Sequence, residues 1–217
     1  MHSGYAATTM RSVAHAAGVS VPSVELAFGT KPRLLRAAIN FAIRGDTDAV
    51  PMLEREWAAR AQATESVADF LGIVASVLSE AAQRSAGLVV AAFEAARGDE
   101  SMSVLAEQLH AQRAETAAWI VDGVMKRSRL RVKIGRDQAV DTVWLLMDPH
   151  GFCALAQHRG WTPEQFAEWF TDSVGRLLLA PGDADPPVAE DEARHPDPPS
   201  PARGRRSRHE QTHRATT

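Results

Sequence analysis

Apolar residues recur at helical spacing along most of the chain between Thr9 and Ala180. Residues 67–81, 104–125 and 139–147 each place their apolar side chains on one face of a helix with about 3.6 residues per turn. A last helix is predicted after Thr162, because a threonine cap, Pro163 at the first helical position and Gln165 together mark a helix start. No stretch alternates apolar and polar residues as a half-buried strand does. The pattern predicts an all-α fold.

Two interruptions divide this helical pattern. Residues 98–101, with the sequence Gly-Asp-Glu-Ser, separate two helices. Pro149 interrupts the next helical region, because proline cannot donate a hydrogen bond to the preceding turn. Asp148 directly before it is a good helix cap, so the sequence predicts a new helix there rather than a kink.

Composition and charge divide the chain into three parts. Residues 181–217 hold seven of the twelve prolines and only six apolar side chains, so they are predicted to be a disordered tail. Residues 1–44 carry a net charge of +4, and residues 45–180 carry −6. We therefore expect a small basic domain at 1–44, a helical domain at 45–180 and a tail at 181–217. The basic domain suits a polyanionic partner.

The segment from Thr8 to Phe28 predicts a helix-turn-helix. Thr8 or Thr9 caps a first short helix, Gly18 suits the positive φ of a tight turn, and Ser20 caps a second helix. Ala14, Gly18 and Val24 have the spacing that two helices need to cross over a short turn, with Val21, Val24 and Phe28 facing inward. The alternative is a plain corner between two helices of a helical protein.

The same segment resembles the DNA-binding domain of the tetracycline-repressor (TetR) family. The resemblance covers residues 4–40 and rests on Gly4-Tyr5, Thr8-Thr9, Val13-Ala14, Ala17-Gly18-Val19-Ser20, Phe28, Lys31 and Leu34-Leu35. A looser resemblance to the last helix of many family members covers Arg159 to Glu164, with Trp169 and Leu177-Leu178.

The resemblance implies a homodimer that binds double-stranded operator DNA and a small effector molecule. Three small helices would bind DNA, and the larger helical domain would hold the effector and the dimer interface. Thr9 and Lys31 match phosphate-contacting positions, and residues 20–26 match the recognition helix. The expected DNA-binding residues are Thr9, Arg11, Ser20, Val21, Pro22, Ser23, Glu25 and Lys31.

The sequence departs from the family pattern in three ways. The family has a helix of some 15 residues before Gly4-Tyr5, where this chain has three residues; a start codon assigned too late and a truncated domain are the two explanations, and the first is preferred. Glu25 stands where the family commonly has a phosphate-binding tyrosine. The recognition helix has no Arg, Lys, Asn or Gln, the residues that read base edges with two hydrogen bonds.

Aromatic and histidine side chains in the middle of the chain are the candidates for an effector pocket. Ligand pockets are mainly apolar with a few polar anchors. The expected pocket residues are Phe70, Phe93, His110, Trp119, Trp144 and Met147. Each aromatic residue has the alternative role of a core side chain.

The last two helical segments are rich in aromatic residues and are expected to pair with their symmetry mates in a dimer. The expected interface residues are Phe152, Leu155, Phe166, Trp169 and Phe170. The basic run at residues 126–136 has two interpretations, an anion or nucleic-acid site and a solvated helix end.

Catalytic, metal and membrane signatures are not found in the sequence. There is no HExxH, GxSxG or glycine-rich phosphate loop, and the single Cys153 excludes a disulfide framework or a four-cysteine zinc site. We expect no catalytic residues, no metal and no cofactor in a cytoplasmic protein without a membrane span.

The leading hypothesis is a repressor released from DNA by a hydrophobic effector. The alternative is a dimeric ligand-binding or interaction protein that has lost specific DNA binding.

Overall fold

The computed structural model describes residues 4–48 and 50–180, which are predominantly helical. The tail predicted at residues 181–217 lies outside the described residues. Short 3₁₀ turns span Tyr5–Ala7 and Met52–Glu54, and a π turn spans Ala154–His158. The α-helices of the described residues are α1 (Met10–Ala17), α2 (Val21–Phe28), α3 (Lys31–Arg44), α4 (Glu56–Ala63), α5 (Val67–Ala95), α6 (Glu100–Met125), α7 (Arg136–Leu146), α8 (Pro149–Cys153) and α9 (Pro163–Leu178). The predicted all-α fold is confirmed.

Local caps set the helix starts that the sequence predicts. The Ser20 hydroxyl accepts a hydrogen bond from the Ser23 N–H at the start of α2, and an Asp148 oxygen accepts one from the His150 N–H at 2.8 Å. At the start of α9, Thr162 and Gln165 exchange side-chain and backbone hydrogen bonds. Each cap satisfies an N–H that has no partner within its helix.

Helix α5 is about twice as long as the apolar pattern at 67–81 indicates. It continues to Ala95, and its buried residues include two polar ones, Ser79 within the predicted stretch and Ser85 beyond it. Their hydroxyls donate to the carbonyls of Ser76 and Ala81 within the same helix, so the polar residues remain satisfied in the core. The buried serines therefore interrupt the helical spacing of apolar residues without ending the helix.

The main core lies around α5, which packs against α3, α4, α6, α8 and α9. Phe70 of α5 and Phe170 of α9 are completely buried in it. Gly123 of α6 faces the Phe70 ring so closely that a Cβ atom at this position would collide with the ring. The small residue lets α5 and α6 approach at this point.

A second, smaller core joins the N-terminal helices to the rest of the described chain. Ile39 of α3 is completely buried against Val89 and Ala92 of α5 and Met102, Leu105 and Leu109 of α6. Helix α3 is therefore held directly by α5 and α6.

Helix α5 is long and apolar enough to cross a membrane by length and composition alone. It is also the helix around which the main core is built, and a core helix passes the same test.

Candidate functional site

Helices α1 and α2 form the helix-turn-helix that the sequence predicts. Thr9 caps α1, with its hydroxyl accepting from the Ser12 N–H at 3.0 Å and the Ser12 hydroxyl accepting from the Thr9 N–H at 2.9 Å. Gly18 has a φ of 67°, and the following Val19 N–H donates to the Ala14 carbonyl. The left-handed glycine reverses the chain so that α2 begins three residues after Gly18.

The residues expected to bind DNA are mostly accessible. Val21 and Lys31 are half-buried, and the exposed members of the set are Thr9, Arg11, Ser20, Pro22, Ser23 and Glu25. The hydroxyls of Ser20 and Ser23 lie 2.8 Å apart and share a hydrogen bond, so one hydroxyl hydrogen remains for another acceptor. This surface is available for contacts with a nucleic acid.

The exposure of Phe28 and a contact between Lys31 and Tyr5 go beyond what the sequence predicts for the N-terminal helices. Phe28 was expected to face inward, but 37% of its surface is exposed, whereas Val24 is only 5% exposed. Phe28 is the last residue of the two-turn helix α2, and Gly29 turns the chain directly after it. The Lys31 ammonium lies 3.9 Å from the centroid of the Tyr5 ring, a cation–π contact that no spacing rule indicates.

A cavity of about 630 Å³ lies between α3, α5, α6 and the α8–α9 region. Its volume suits a small organic molecule. Its walls are mainly apolar and include Ile43, Leu53, Val77, Leu78, Ala82, Val89, Leu109 and Pro149. Asn40 and Arg44 bring the end of α3 into the wall.

The charged groups of the cavity differ in their exposure. Glu54 and Glu115 are exposed, whereas the Arg113 side chain is only 10% exposed. Arg113 Nη1 donates to Asp148 Oδ2 at 3.0 Å, and its guanidinium lies 3.9 Å from the centroid of the Trp144 ring. Burial lowers the pKa of Arg113 and Asp148 opposes that effect, but an arginine remains protonated in proteins.

Asp148 connects the cavity wall to helix α8. One of its oxygens caps α8 by accepting from the N–H groups of His150 and Gly151, and the other oxygen accepts from Arg113. Burial raises the pKa of Asp148, but the hydrogen bond from His150 and the charge of Arg113 outweigh burial and hold the pKa below its usual range. The ionised carboxylate is therefore the form that fits this site.

The six residues expected to form a pocket fall into three groups. Phe93 and Met147 line the cavity. His110 stacks on the Phe93 ring at 4.3 Å, Trp144 lies under Arg113, and Trp119 contacts Trp57, so these side chains lie directly behind wall residues. Phe70 is completely buried in the main core beneath the Arg127 guanidinium and does not line the cavity.

The residues expected at a dimer interface are partly enclosed within the protomer. Phe152 and Phe166 are buried, contact each other edge to face at 4.9 Å and line the cavity. Phe170 is completely buried in the core. Leu155 and Trp169 are half-buried, so they are the two residues of this set that a partner subunit can contact.

The basic run at residues 126–136 contains structural anchors. Arg127 donates to the carbonyls of Ala61, Gln62 and Thr64 at the end of α4, and burial lowers its pKa. Arg136 holds the Asp122 carboxylate with two hydrogen bonds, from Nε at 2.7 Å and from Nη2 at 2.9 Å. These arginines hold the ends of helices in place. The sequence alone did not indicate this role, because it does not show which carbonyl and carboxylate groups lie nearby.

Groups suited to metal binding are absent from residues 4–48 and 50–180, where no three His, Cys, Asp or Glu side chains cluster. Cys153 is half-buried, and burial together with Asp148 raises the pKa of its thiol. A raised pKa disfavours the nucleophilic thiolate.

Comparison with known proteins finds a family model that matches the N-terminal residues and two solved structures with a similar fold. Residues 1–38 match the model of the bacterial regulatory proteins, tetR family. The chain is similar to a transcriptional regulator from Saccharomonospora viridis in complex with choline, with a TM-score of 0.58 and 14% identity over 82% of this chain and 90% of that chain. It is also similar to the ketosteroid transcriptional regulator KstR2 of Mycobacterium tuberculosis, with a TM-score of 0.52 and 17% identity over 82% of this chain and 88% of that chain. No curated protein sequence matches significantly.

Proposed function

Since the chain belongs to the tetR family of bacterial regulatory proteins by its residues 1–38, and shares the fold of two solved regulators, we propose that it is a ligand-responsive repressor. A small, mainly hydrophobic effector occupies the cavity and releases the protein from operator DNA. The protein acts in the cytoplasm as a homodimer, with no catalytic step of its own.

The observation that carries this proposal is the position of the cavity against α3. Asn40, Ile43 and Arg44 of this helix line the cavity, and residues 1–38, which match the DNA-binding family, include the start of the same helix. An occupant of the cavity therefore contacts α3, which follows α1 and α2 in the chain and packs against α2. A ligand with different affinities for two positions of α3 shifts the protein between them.

We assign DNA binding to the exposed side of α1 and α2 and to the start of α3 at Lys31. Thr9, Arg11 and Lys31 contact phosphates and position the domain, and residues 20–25 of α2 and its cap face the base edges. Two such domains in a homodimer would enter successive major grooves about 34 Å apart. The half-buried Leu155 and Trp169 are the proposed contacts between the two subunits.

The test is a gel-shift titration of the protein on the DNA upstream of its own gene, at several salt concentrations. It is run with this chain and with a chain extended to the preceding in-frame start codon. We expect binding that weakens as salt rises, because phosphate contacts release counterions. Arg11→Ala is expected to weaken binding, and the matched control Arg60→Ala, an exposed arginine of α4, is expected to leave it unchanged. Absence of binding by both chains at low salt rules out the repressor function.

A second candidate function is a dimeric ligand-binding protein that has lost specific DNA binding. It is favoured by the surface of α2, where Leu26 is 91% exposed and Glu25 presents a carboxylate that phosphates repel. Residues 20–28 also lack Arg, Lys, Asn and Gln. This candidate predicts a dimer that binds a ligand in calorimetry and shows no salt-dependent affinity for DNA.

A further inference from the structure

The buried side-chain atoms without a hydrogen-bond partner have one property in common. Within the described residues they are Trp57 Nε1, Arg113 Nε and Arg113 Nη2, and all three are N–H donors. Trp57 and Arg113 both line the same cavity. Buried donors without acceptors are costly, especially on a charged group. These three donors therefore have no acceptor within the described residues, and a ligand can supply one.

The two orphan nitrogens of Arg113 lie on one edge of the guanidinium. Nε and Nη2 donate in parallel, which matches the two oxygens of a carboxylate, and the bond to Asp148 uses Nη1 instead. Arg136 shows this geometry elsewhere in the same protein, since its Nε and Nη2 hold the two oxygens of Asp122. The corresponding edge of Arg113 has no such partner.

The surroundings of Arg113 favour an anion joined to an apolar body. Asp148 accepts one of its hydrogen bonds but leaves the Nε–Nη2 edge unused, and the two carboxylates that line the cavity, Glu54 and Glu115, are exposed. The rest of the wall is mainly apolar, with Phe93, Met147 and Phe166 among its side chains. A cationic ligand placed at this position would be repelled by the guanidinium.

We infer that the cavity binds an amphipathic carboxylate, whose charged group pairs with the Nε–Nη2 edge of Arg113 and whose apolar body fills the remaining space. Trp57 Nε1 is a further donor for a polar atom on that body. The inference rests on the proposed function in taking this cavity as the effector site. Protein atoms cover the two Arg113 nitrogens, so the guanidinium shifts within the wall for the carboxylate to reach them.

The test compares three probes with related chains and different charged groups, namely decanoate, decanamide and decyltrimethylammonium. Their binding to the full chain is measured by isothermal titration calorimetry without DNA, so a failure of DNA binding does not affect the result. We expect decanoate to bind at least about tenfold (about 1.4 kcal/mol) more tightly than decanamide, because a hydrogen bond to a charged group is stronger than one to a neutral group. The cation is expected to bind most weakly.

Two variants of Arg113 assign this preference to its guanidinium. Arg113→Met keeps an apolar stem against Trp144 and is expected to abolish the preference for decanoate over decanamide. Arg113→Lys keeps the charge without the paired donors and is expected to retain a reduced preference for decanoate. This variant provides the test if Arg113→Met does not fold. The matched control is Arg136→Met, which removes a guanidinium that binds Asp122 through its Nε and Nη2 atoms. It is expected to leave the preference for decanoate unchanged.

The outcomes separate this inference from the proposed function. Equal binding of decanoate and decanamide, tighter binding of the cation, or no binding of any probe overturns the carboxylate assignment. A preference that survives in both Arg113 variants also overturns it. Loss of DNA binding in the gel shift with an intact decanoate preference overturns the repressor function and leaves the ligand class standing.

Discussion

Gly123 shows at the scale of one residue how closely α5 and α6 approach. Phe70 is completely buried, and its ring occupies the space that a side chain at position 123 would need. Arg127 covers another part of the same ring at 4.4 Å from its centroid. The ring therefore lies between the backbone of Gly123 on α6 and the Arg127 guanidinium. A side chain at position 123 fits only if the core shifts.

Gly123→Ala is expected to lower the free energy of unfolding by about 1–3 kcal/mol, because over-packing forces side chains and backbone to move. Gly72→Ala is the matched control, since Gly72 is exposed on α5 with no heavy atom within 4 Å of a Cβ atom. It is expected to raise the free energy of unfolding by about 0.5–1 kcal/mol. Urea titrations measure both, and a stabilising Gly123→Ala would contradict the packing described here.

Helix α8 shows what a single cap does at the scale of an element. Its five residues are too few to be stable as an isolated helix, so the start at Asp148 and the burial of Pro149 and Phe152 hold it in place. Arg113 contacts the same carboxylate from a position 35 residues away along the chain. The cap thus joins α8 to α6 at the cavity wall.

The contribution of Asp148 to stability is expected to depend on pH. Its pKa is lower in the folded protein than in the unfolded chain, so the contribution is complete above the ordinary aspartate pKa. It is lost as the pH falls from that value through the depressed folded pKa. Asp148→Asn is expected to reduce the loss of stability over this acidic range, measured as the urea midpoint against pH. Asp141→Asn, at an exposed position of α7, is the control, and equal pH profiles for the two variants would refute the assignment.

At the scale of the whole molecule, contacts between α3 and α5 link the end of α3 to the helix at the centre of the main core. Arg84 of α5 donates from Nε to the Ala42 carbonyl at 2.9 Å and from Nη2 to the Ile43 carbonyl at 3.3 Å. These carbonyls belong to the last turn of α3, which also lines the cavity. Under the proposed function, these two hydrogen bonds are the route by which a movement of α5 around a ligand reaches the end of α3.

Arg84→Gln is expected to weaken the coupling between ligand and DNA while both still bind. The coupling is the ratio of DNA affinities without and with saturating decanoate, and allosteric ratios are typically about 5 to 150. The variant is expected to bring this ratio closer to 1 in gel shifts, whereas the exposed control Arg60→Gln keeps the ratio of the unmodified chain. An unchanged ratio in Arg84→Gln would contradict a role of these two hydrogen bonds in the coupling.

The sequence by itself determined the features that depend on neighbours along the chain. The helix starts at Ser20, Asp148 and Thr162, the turn at Gly18 and the all-α class follow from contacts within three or four residues, which spacing reports directly. Those same local signals carried the resemblance to the family that residues 1–38 match.

Only the tertiary structure decided which side chains surround the cavity. Phe70 lies in the core while Phe152 and Phe166 line the cavity, although all three sit on apolar helix faces of the same kind. Arg113 gave no signal in the sequence, because its importance comes from burial and from Asp148, which lies on a different element. Helical spacing gives the face on which a residue lies, but the element opposite that face is set by how distant helices pack.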